Sequence, residues 1–395
     1  MKRVCIIGLG YIGLPTAALL ANKGYDVCGV DIVESTVNTI NRGEIHIVEP
    51  ELDMFVKAAV RSEKLKAFTK PVEADIFIIA VPTPFHEGFV PNIDYVIAAT
   101  RAISPYIKKG NIVILESTSP VGTTHRIEVI LKEEGVDVSN VYIAYCPERV
   151  LPGKIMKELV ENDRIVGGIT PHATAKAVEF YNTFVEGDVL STDAKTAEMT
   201  KLTENSFRDT NIAFANELSI LCDKFDIDVW ELIKLANRHP RVNILQPGAG
   251  VGGHCIAVDP WFIVHAGGKD AKMIRTAREV NSYKTEWVVE KIKNIALTFE
   301  NTYGRKAKVA CMGLAFKPNI DDLRESPALY ITRQLIFHGI EVLAVEPNIK
   351  NFDEFEIVEY KKALEKADVV VFLVAHREFQ ALDIKEALDF CGVLH

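Results

Sequence analysis

The stretch "RVCIIGLGYIGLPTA" (3–17) constrains this chain more than any other. It sets Gly8, Gly10 and Gly13 at G-x-G-x-x-G spacing, directly after an apolar β-rich run and at the opening of a helical pattern. Such glycines allow a tight turn, a close approach of backbone to a pyrophosphate, and close packing of helix on strand, while the helix N-terminus supplies amide donors. Asp31 ends a second β-rich run, "DVCGVD", 18 residues after Gly13. An acid there is placed to accept from ribose hydroxyls, so the whole segment predicts a βαβ unit that binds a dinucleotide. A carboxylate would repel a ribose 2′-phosphate, and Ile32 and Val33 offer no cation to receive one. The expected cofactor is therefore NAD rather than NADP.

The same stretch imitates something else. Lys2 and Arg3 precede 18 uncharged residues, Val4 to Ala21, the pattern of a signal peptide or membrane span. The glycine spacing and Pro15 are better explained by the turn, and no other segment is long and apolar enough to span a bilayer. Seven cysteines, at 5, 28, 146, 222, 255, 311 and 391, form no C-x-x-C pair, which argues against a disulfide framework or zinc ribbon and for a reducing, cytoplasmic setting. A net charge of −9 argues against nucleic acid as a partner. Neither nucleic acid nor a membrane is expected.

From the N-terminus to about residue 190, β-rich runs ("RVCIIG", "DVCGVD", "DIFIIAVPT", "NIVILEST", "VYIAYCPE", "RIVGGI") alternate with helical patterns, the signature of a parallel sheet covered on both faces. The texture then changes. No glycine or proline occurs between Gly187 and Pro240, nor between Gly268 and Gly304, which predicts two long helices. From Lys306 the alternation resumes with "KVACMGLAF", a helix near "PALYITRQLIFHG", "EVLAVEP" and "DVVVFLVAH". The predicted fold is α/β, with two Rossmann-like doubly wound domains joined by a central helical core. The boundaries are 1–192, 193–303 and 304–395. The two α/β parts are alike in texture but show no residue-level repeat in the sequence.

Between the long helical stretches lies "GAGVGGHCIAVDPW" (248–261), a cysteine at the end of a run with four glycines. Three explanations compete for Cys255: a small buried hydrophobe, a metal ligand, or a nucleophile that a substrate must approach closely. In "EMTKLTENSFRDTNIAFANE" (198–217), Lys201, Asn205 and Arg208 fall at i, i+4 and i+7 and share one helix face.

These stretches, with "AVPTP" (80–84), "ESTSPVGTT" (116–124), "CPERVLPG" (146–153) and "FKPNIDDLRESP" (316–327), resemble the UDP-glucose/GDP-mannose dehydrogenase family over nearly the whole chain. "PERVLPG" and "NRHPRVNILQPGAGVGGHC" are most similar to members that act on UDP-N-acetyl-D-mannosamine. The resemblance implies an N-terminal NAD domain, a helical dimerisation core and a C-terminal nucleotide-sugar domain. It also implies a homodimer, and a short further C-terminal piece after "DFCGVL". The implied reaction is a four-electron oxidation of a primary alcohol to a carboxylate with two NAD and no free aldehyde. Cys255 would form a thiohemiacetal, which gives up a second hydride to leave a hydrolysable thioester.

The other roles come from the same likeness. Lys201 and Asn205 would hold the developing oxyanion, Asp259 and Thr118 would position the lysine and a water, and Glu148 would be the general base for hydrolysis. Gly248, Gly250, Gly252 and Gly253 would let the backbone close on the sugar. Arg149, Val150, Lys201, Asn205, Arg208, His239, Arg241, Gly252, Phe316 and Lys317 would surround the nucleotide sugar, Arg241 reaching over from the partner subunit. Tyr11, Ile12, Thr83, Thr118 and Arg324 would join Gly8, Gly10, Gly13 and Asp31 at the cofactor. Metal binding is the poorer account of the thiol, because His254 and Cys255 are adjacent and no second Cys/His pair stands at ligand spacing.

Alternatives remain: a UDP-GlcNAc or UDP-glucose 6-dehydrogenase, or more remotely a two-electron β-hydroxyacid dehydrogenase. The last needs neither the thiol nor the domain after residue 303.

Overall fold

The β-rich runs become strands whose alternate residues face opposite sides, so each strand is buried twice over. In β1 (Arg3–Ile7), Val4 and Ile6 join one apolar core while Cys5 and Ile7 join another. The remaining strands of this sheet are β2 (Asp26–Val30), β3 (Leu65–Phe68), β4 (Ile76–Ile79), β7 (Ile112–Leu115), β8 (Tyr142–Tyr145), β9 (Arg164–Gly168) and β10 (Val189–Asp193). A small hairpin of β5 (Phe85–His86) and β6 (Val90–Pro91) stands apart. In this computed structural model, which describes all residues except Met1, His254, Ala381, Asp383 and Lys385, the order is β10-β9-β8-β7-β4-β1-β2-β3. Helices α1 (Gly13–Asn22), α2 (Glu34–Asn41), α3 (Leu52–Arg61), α4 (Asp94–Ile103), α5 (Thr123–Glu133), α6 (Ile155–Glu161) and α7 (Pro171–Tyr181) connect them.

One expectation is corrected. The sheet is not wholly parallel, because β9 runs antiparallel to β8, with Ala144 opposite Gly168, and β10 then pairs parallel with β9. The connecting helix α6 has seven residues and rises only ~10 Å, so it does not return the chain for a parallel crossover.

The glycine-free stretches are helical as expected. The first forms α8 (Ala194–Phe225) and α9 (Val229–Ala236), separated where Asp226 takes a positive φ of 57°. After α10 (Asp259–Gly267) the second forms α11 (Lys272–Tyr303). The C-terminal sheet, ordered β12-β11-β13-β14, contains β11 (Lys308–Met312), β12 (Glu341–Val345), β13 (Val369–Phe372) and β14 (Leu388–Asp389), with α12 (Pro327–Phe337) and α13 (Tyr360–Lys366). All its pairings are parallel. Two compact units result, Met1–Thr203 with Trp261–Ala266, and Glu204–Pro260 with Gly267–His395. Among the described residues no helix is long and apolar enough to cross a membrane.

The backbone also reveals a repeat that the sequence hides. Gly8 has φ 94° and donates to Val30 O at 2.8 Å, while Gly313 has φ 95° and donates to Val345 O at 2.9 Å. An acid follows in each case, Asp31 after β2 and Glu346 after β12. The two units share Gly-Leu at the turn (Gly8–Leu9, Gly313–Leu314) and scattered valines in the strands (Val4, Val27 and Val30 against Val309, Val342 and Val345), matches too short to stand out in the sequence.

Candidate functional site

The first unit holds the dinucleotide crevice. The chain runs from β1 outward to β2 and β3 and then crosses back to β4 on the other side of β1, so the sheet has a switch point between β1 and β4 at their carboxyl ends. The three glycines of the turn do different work. A Cβ on Gly8 would collide with Ala80 O, and one on Gly13 with Gly8 O, so these two let strand and helix meet. A Cβ on Gly10 would meet nothing within 4 Å. That open side is where a pyrophosphate fits. α1 starts with no side-chain cap and no acid in its first turn, which leaves its amides and dipole for an anion. Asp31 accepts from Leu9 N at 3.2 Å and Val33 N at 2.9 Å, tying the end of β2 to the turn that carries exposed Tyr11 and half-buried Ile12. Thr83, after β4, donates to Thr118 O, after β7, at 2.5 Å. The residues present therefore fit NAD.

Farther along the same carboxyl edge, Glu148 is buried and both its oxygens are engaged. Oε1 accepts from Arg149 N at 2.7 Å and Oε2 from buried Arg164 Nη1 at 2.7 Å. Arg149 is half-buried and donates to Asp163 O at 3.2 Å, and Val150 packs against the core. Sequence reasoning missed Arg164, and also Glu49. The buried Glu49 carboxylate accepts from Gly153 N and Ile155 N, each at 2.8 Å, and holds the "PERVLPG" loop to its helix. Neither residue lies in a motif, so only the three-dimensional contact exposes it.

Glu116 was also overlooked. It is fully buried, Tyr181 Oη donates to its Oε1 at 2.7 Å, and its Oε2 has no partner. Burial, reinforced by the charge of Glu148, pushes its carboxyl up to about 7. A carboxyl raised by folding favours the native state below its unfolded value of 4.5, and that advantage is lost as pH climbs through about 7. Glu116→Gln imitates the protonated form. It is expected to be more stable than the parent at pH 8 by ~3 kcal/mol, with the gap closing toward pH 4.5. Urea titrations at the two pH values check this; a constant difference would contradict it.

Across the chain the cysteines separate cleanly. Cys5, Cys28, Cys146, Cys222 and Cys311 are buried and Cys391 is half-buried, whereas Cys255 is exposed. The small-hydrophobe reading thus fails for Cys255 alone. Its carbonyl accepts from Asp259 N at 2.9 Å at the start of α10. Asp259 is buried, and its Oδ2 accepts from Asn205 Nδ2 on α8 at 2.6 Å. The two predicted polar residues therefore meet. Lys201 belongs to the first unit, one helical turn before Asn205 on the same helix, and is half-buried.

A buried polar chain that sequence reasoning missed anchors the glycine run. Arg278 Nη1 donates to Asp209 Oδ1 at 2.6 Å, and Asn281 Nδ2 donates to the same oxygen at 2.8 Å. Asn216 Nδ2 donates to Asn281 Oδ1 at 2.8 Å, and Asn216 Oδ1 accepts from Gly248 N at 2.8 Å. Thr285 Oγ1 adds a bond to Ala249 O at 3.1 Å.

The glycines have a reason beyond the one expected. A Cβ on Gly252 would lie 2.7 Å from Pro327 Cδ and 2.9 Å from Phe316 Cβ, and one on Gly253 would lie 2.9 Å from the Phe316 ring. Gly253 moreover has φ 82°. The bare backbone is needed for packing on the "FKPNIDDLRESP" loop, where Phe316 and Lys317 are half-buried. Arg324 in that loop pairs with Asp322 at 2.6 Å. Arg208, His239 and Arg241 are exposed, the last two in the turn after α9. His254 lies outside the described residues. Among the described residues no group of three or more His, Cys, Asp or Glu could hold a metal ion.

Comparison with known proteins matches three profiles of the UDP-glucose/GDP-mannose dehydrogenase family: the NAD binding domain at 2–185, the central domain at 195–283 and the UDP binding domain at 310–391. The chain is 57% identical over 408 residues to the UDP-N-acetyl-D-mannosamine dehydrogenase of Campylobacter jejuni, covering 99% of each. It is 53% identical over 396 residues to the NDP-N-acetyl-D-galactosaminuronic acid dehydrogenase of Ralstonia solanacearum, covering 97% of this chain and 92% of the relative. The structure resembles that of UDP-D-ManNAc dehydrogenase from Pyrococcus horikoshii, with a TM-score of 0.89, 38% identity, and 100% and 96% of the two chains covered.

Proposed function

We propose that this chain, which belongs to the UDP-glucose/GDP-mannose dehydrogenase family, oxidises the C6 alcohol of UDP-N-acetyl-D-mannosamine to the carboxylate. The exposed Cys255, next to the buried Asn205–Asp259 pair, carries the chemical part of this reading. The names of relatives at 57% and 54% identity support the sugar. NAD supplies the hydride acceptor in both oxidations.

The alcohol loses a hydride and a proton to become an aldehyde. The Cys255 thiolate adds to that carbon, and Lys201 and Asn205 stabilise the oxyanion until it takes a proton. Loss of that proton and of a second hydride leaves a thioester. Water then displaces the thiolate, giving the carboxylate and regenerating Cys255. Glu148 would accept the water's proton through lone pairs not used by Arg149 N and Arg164, since a carboxylate offers about four acceptor sites. Thr118 and Asp259 would orient the water and Lys201.

Arg149, Val150, Arg208, His239, Arg241, Gly252, Phe316 and Lys317 are assigned to the nucleotide sugar, and Arg324 to the cofactor. A homodimer is supported by an apolar stripe on α8, where Phe207, Phe214 and Leu221 recur every seven residues and are exposed together with Phe225. Arg241 would serve the partner's site. Sedimentation at twice the chain mass of 43.9 kDa is expected, and a monomer would remove that assignment.

The substrate is tested by giving purified protein NAD and a panel of UDP-sugars, counting NADH and weighing the product. Two NADH per sugar and the highest kcat/KM with UDP-N-acetyl-D-mannosamine are expected. A higher value with the N-acetyl-galactosamine isomer, which differs at C2 and C4 and which the Ralstonia relative makes the second reading, would overturn the sugar but not the chemistry.

A further inference from the structure

The acid after β12 occupies the position that Asp31 occupies after β2, yet its surroundings differ. Asp31 is half-buried beside an open turn. Glu346 is buried and crowded with donors. Its Oε2 accepts from Leu314 N at 2.8 Å, Ala315 N at 2.9 Å and His376 Nε2 at 3.0 Å, and its Oε1 accepts from Asn348 N at 3.0 Å and Asn348 Nδ2 at 3.2 Å. No lone pair remains for a ribose.

His376 is itself fully buried, and its other nitrogen faces two donors, Asn319 N at 3.0 Å and Asn348 Nδ2 at 3.1 Å. Nδ1 must therefore be the acceptor, which assigns the ring proton to Nε2, pointing at Glu346. The next residue continues the tie, since Arg377 N donates to Asn319 Oδ1 at 2.9 Å. Asn319 has a positive φ of 62°, so the chain bends sharply where it is gripped. The segment 314–319 is thus held at its start by Glu346 and at its end by His376 and Arg377. Between the two grips lie Phe316 and Lys317.

We propose that Glu346 and His376 are positioning residues that fix the 314–319 segment in the shape that receives the nucleotide part of the substrate. In this second Rossmann-like sheet the acid of the β-turn-helix-β unit holds a loop instead of a ribose. The brace also sets the Phe316 ring against Gly253, two residues from Cys255. The proposal rests on the assignment of Phe316 and Lys317 to the nucleotide sugar, and the experiment separates the two.

UDP and NAD binding are measured by calorimetry on the full chain for the parent, His376→Phe, His376→Asn and Lys317→Ala. His376→Phe removes all three hydrogen bonds of the ring and is expected to weaken UDP at least tenfold while NAD changes less than twofold. His376→Asn places an amide oxygen near the Nδ1 position, where it can accept from Asn319 N, and is expected to recover most of the loss. A purely space-filling role would give the reverse, with Phe tolerated better than Asn. If His376→Phe binds UDP like the parent while Lys317→Ala is weakened, the brace is overturned and the loop assignment stands. If neither variant is weakened, the assignment beneath the proposal falls as well. Should His376→Phe not fold, Asn348→Ala removes one bond to each of His376 and Glu346 from a half-buried position. About threefold weaker UDP binding is then expected, and unchanged binding overturns the brace.

Discussion

Cys255→Ala is expected to abolish conversion of sugar to acid, by at least a thousandfold, while NAD binding and thermal stability stay near the parent's. The thiol is exposed, so its removal leaves no cavity and costs little packing, in contrast to the five buried cysteines. Its loss removes the covalent step altogether. Cys255→Ser should instead turn over slowly and accumulate an ester, because an alkoxide is harder to generate than a thiolate and is a poorer leaving group. Intact-protein mass spectrometry of the Ser variant with NAD and UDP-sugar should show an added sugar nucleotide. Two NADH per sugar from Cys255→Ala would remove the thiol from the mechanism.

The second large effect is expected at the fingerprint, where Gly10 and Gly13, three residues apart, should respond differently. A methyl at Gly13 would overlap Gly8 O and sit 3.0 Å from Gly8 C and 3.3 Å from Ile6 Cγ2. These are backbone and core atoms that cannot swing aside. Gly13→Ala should therefore lose about 3 kcal/mol of stability and NAD binding together. A methyl at Gly10 meets nothing in the protein, so Gly10→Ala should melt with the parent. It should still bind NAD at least tenfold more weakly, because the methyl projects where the pyrophosphate must approach. Thermal melts and NAD titrations on both variants check the pair. A Gly10→Ala protein with full NAD affinity would place the cofactor elsewhere.

Much of the fold was legible because period and punctuation are local. The runs around β1, β2, β4, β7 and β8 are apolar throughout because both their faces are covered, and the 32-residue helices α8 and α11 are long stretches without glycine or proline. β3 and β10 went unseen. "LKAF" and "VLSTD" are short sheet-edge strands with exposed residues, and neither pattern is strong in isolation.

The site divides in the same way. The glycine fingerprint, Asp31, Cys255 and the Lys201–Asn205 spacing are fixed by neighbours within a few turns of chain, and these the sequence determined by itself. That a thiol and a polar helix face belong to one chemistry was implied by the family resemblance and not by their spacing. Tertiary structure alone decided which cysteine is exposed, that β9 turns antiparallel, and that Glu116 is buried beside Glu148. It likewise decided that Gly252 and Gly253 are bare for the sake of Phe316, and that Glu346 meets His376 across 30 positions of sequence. The physical reason is common to all of these. Burial, hydrogen-bond partners and shifted protonation depend on what lies across the space around a group, and a residue type with its sequence neighbours does not specify that.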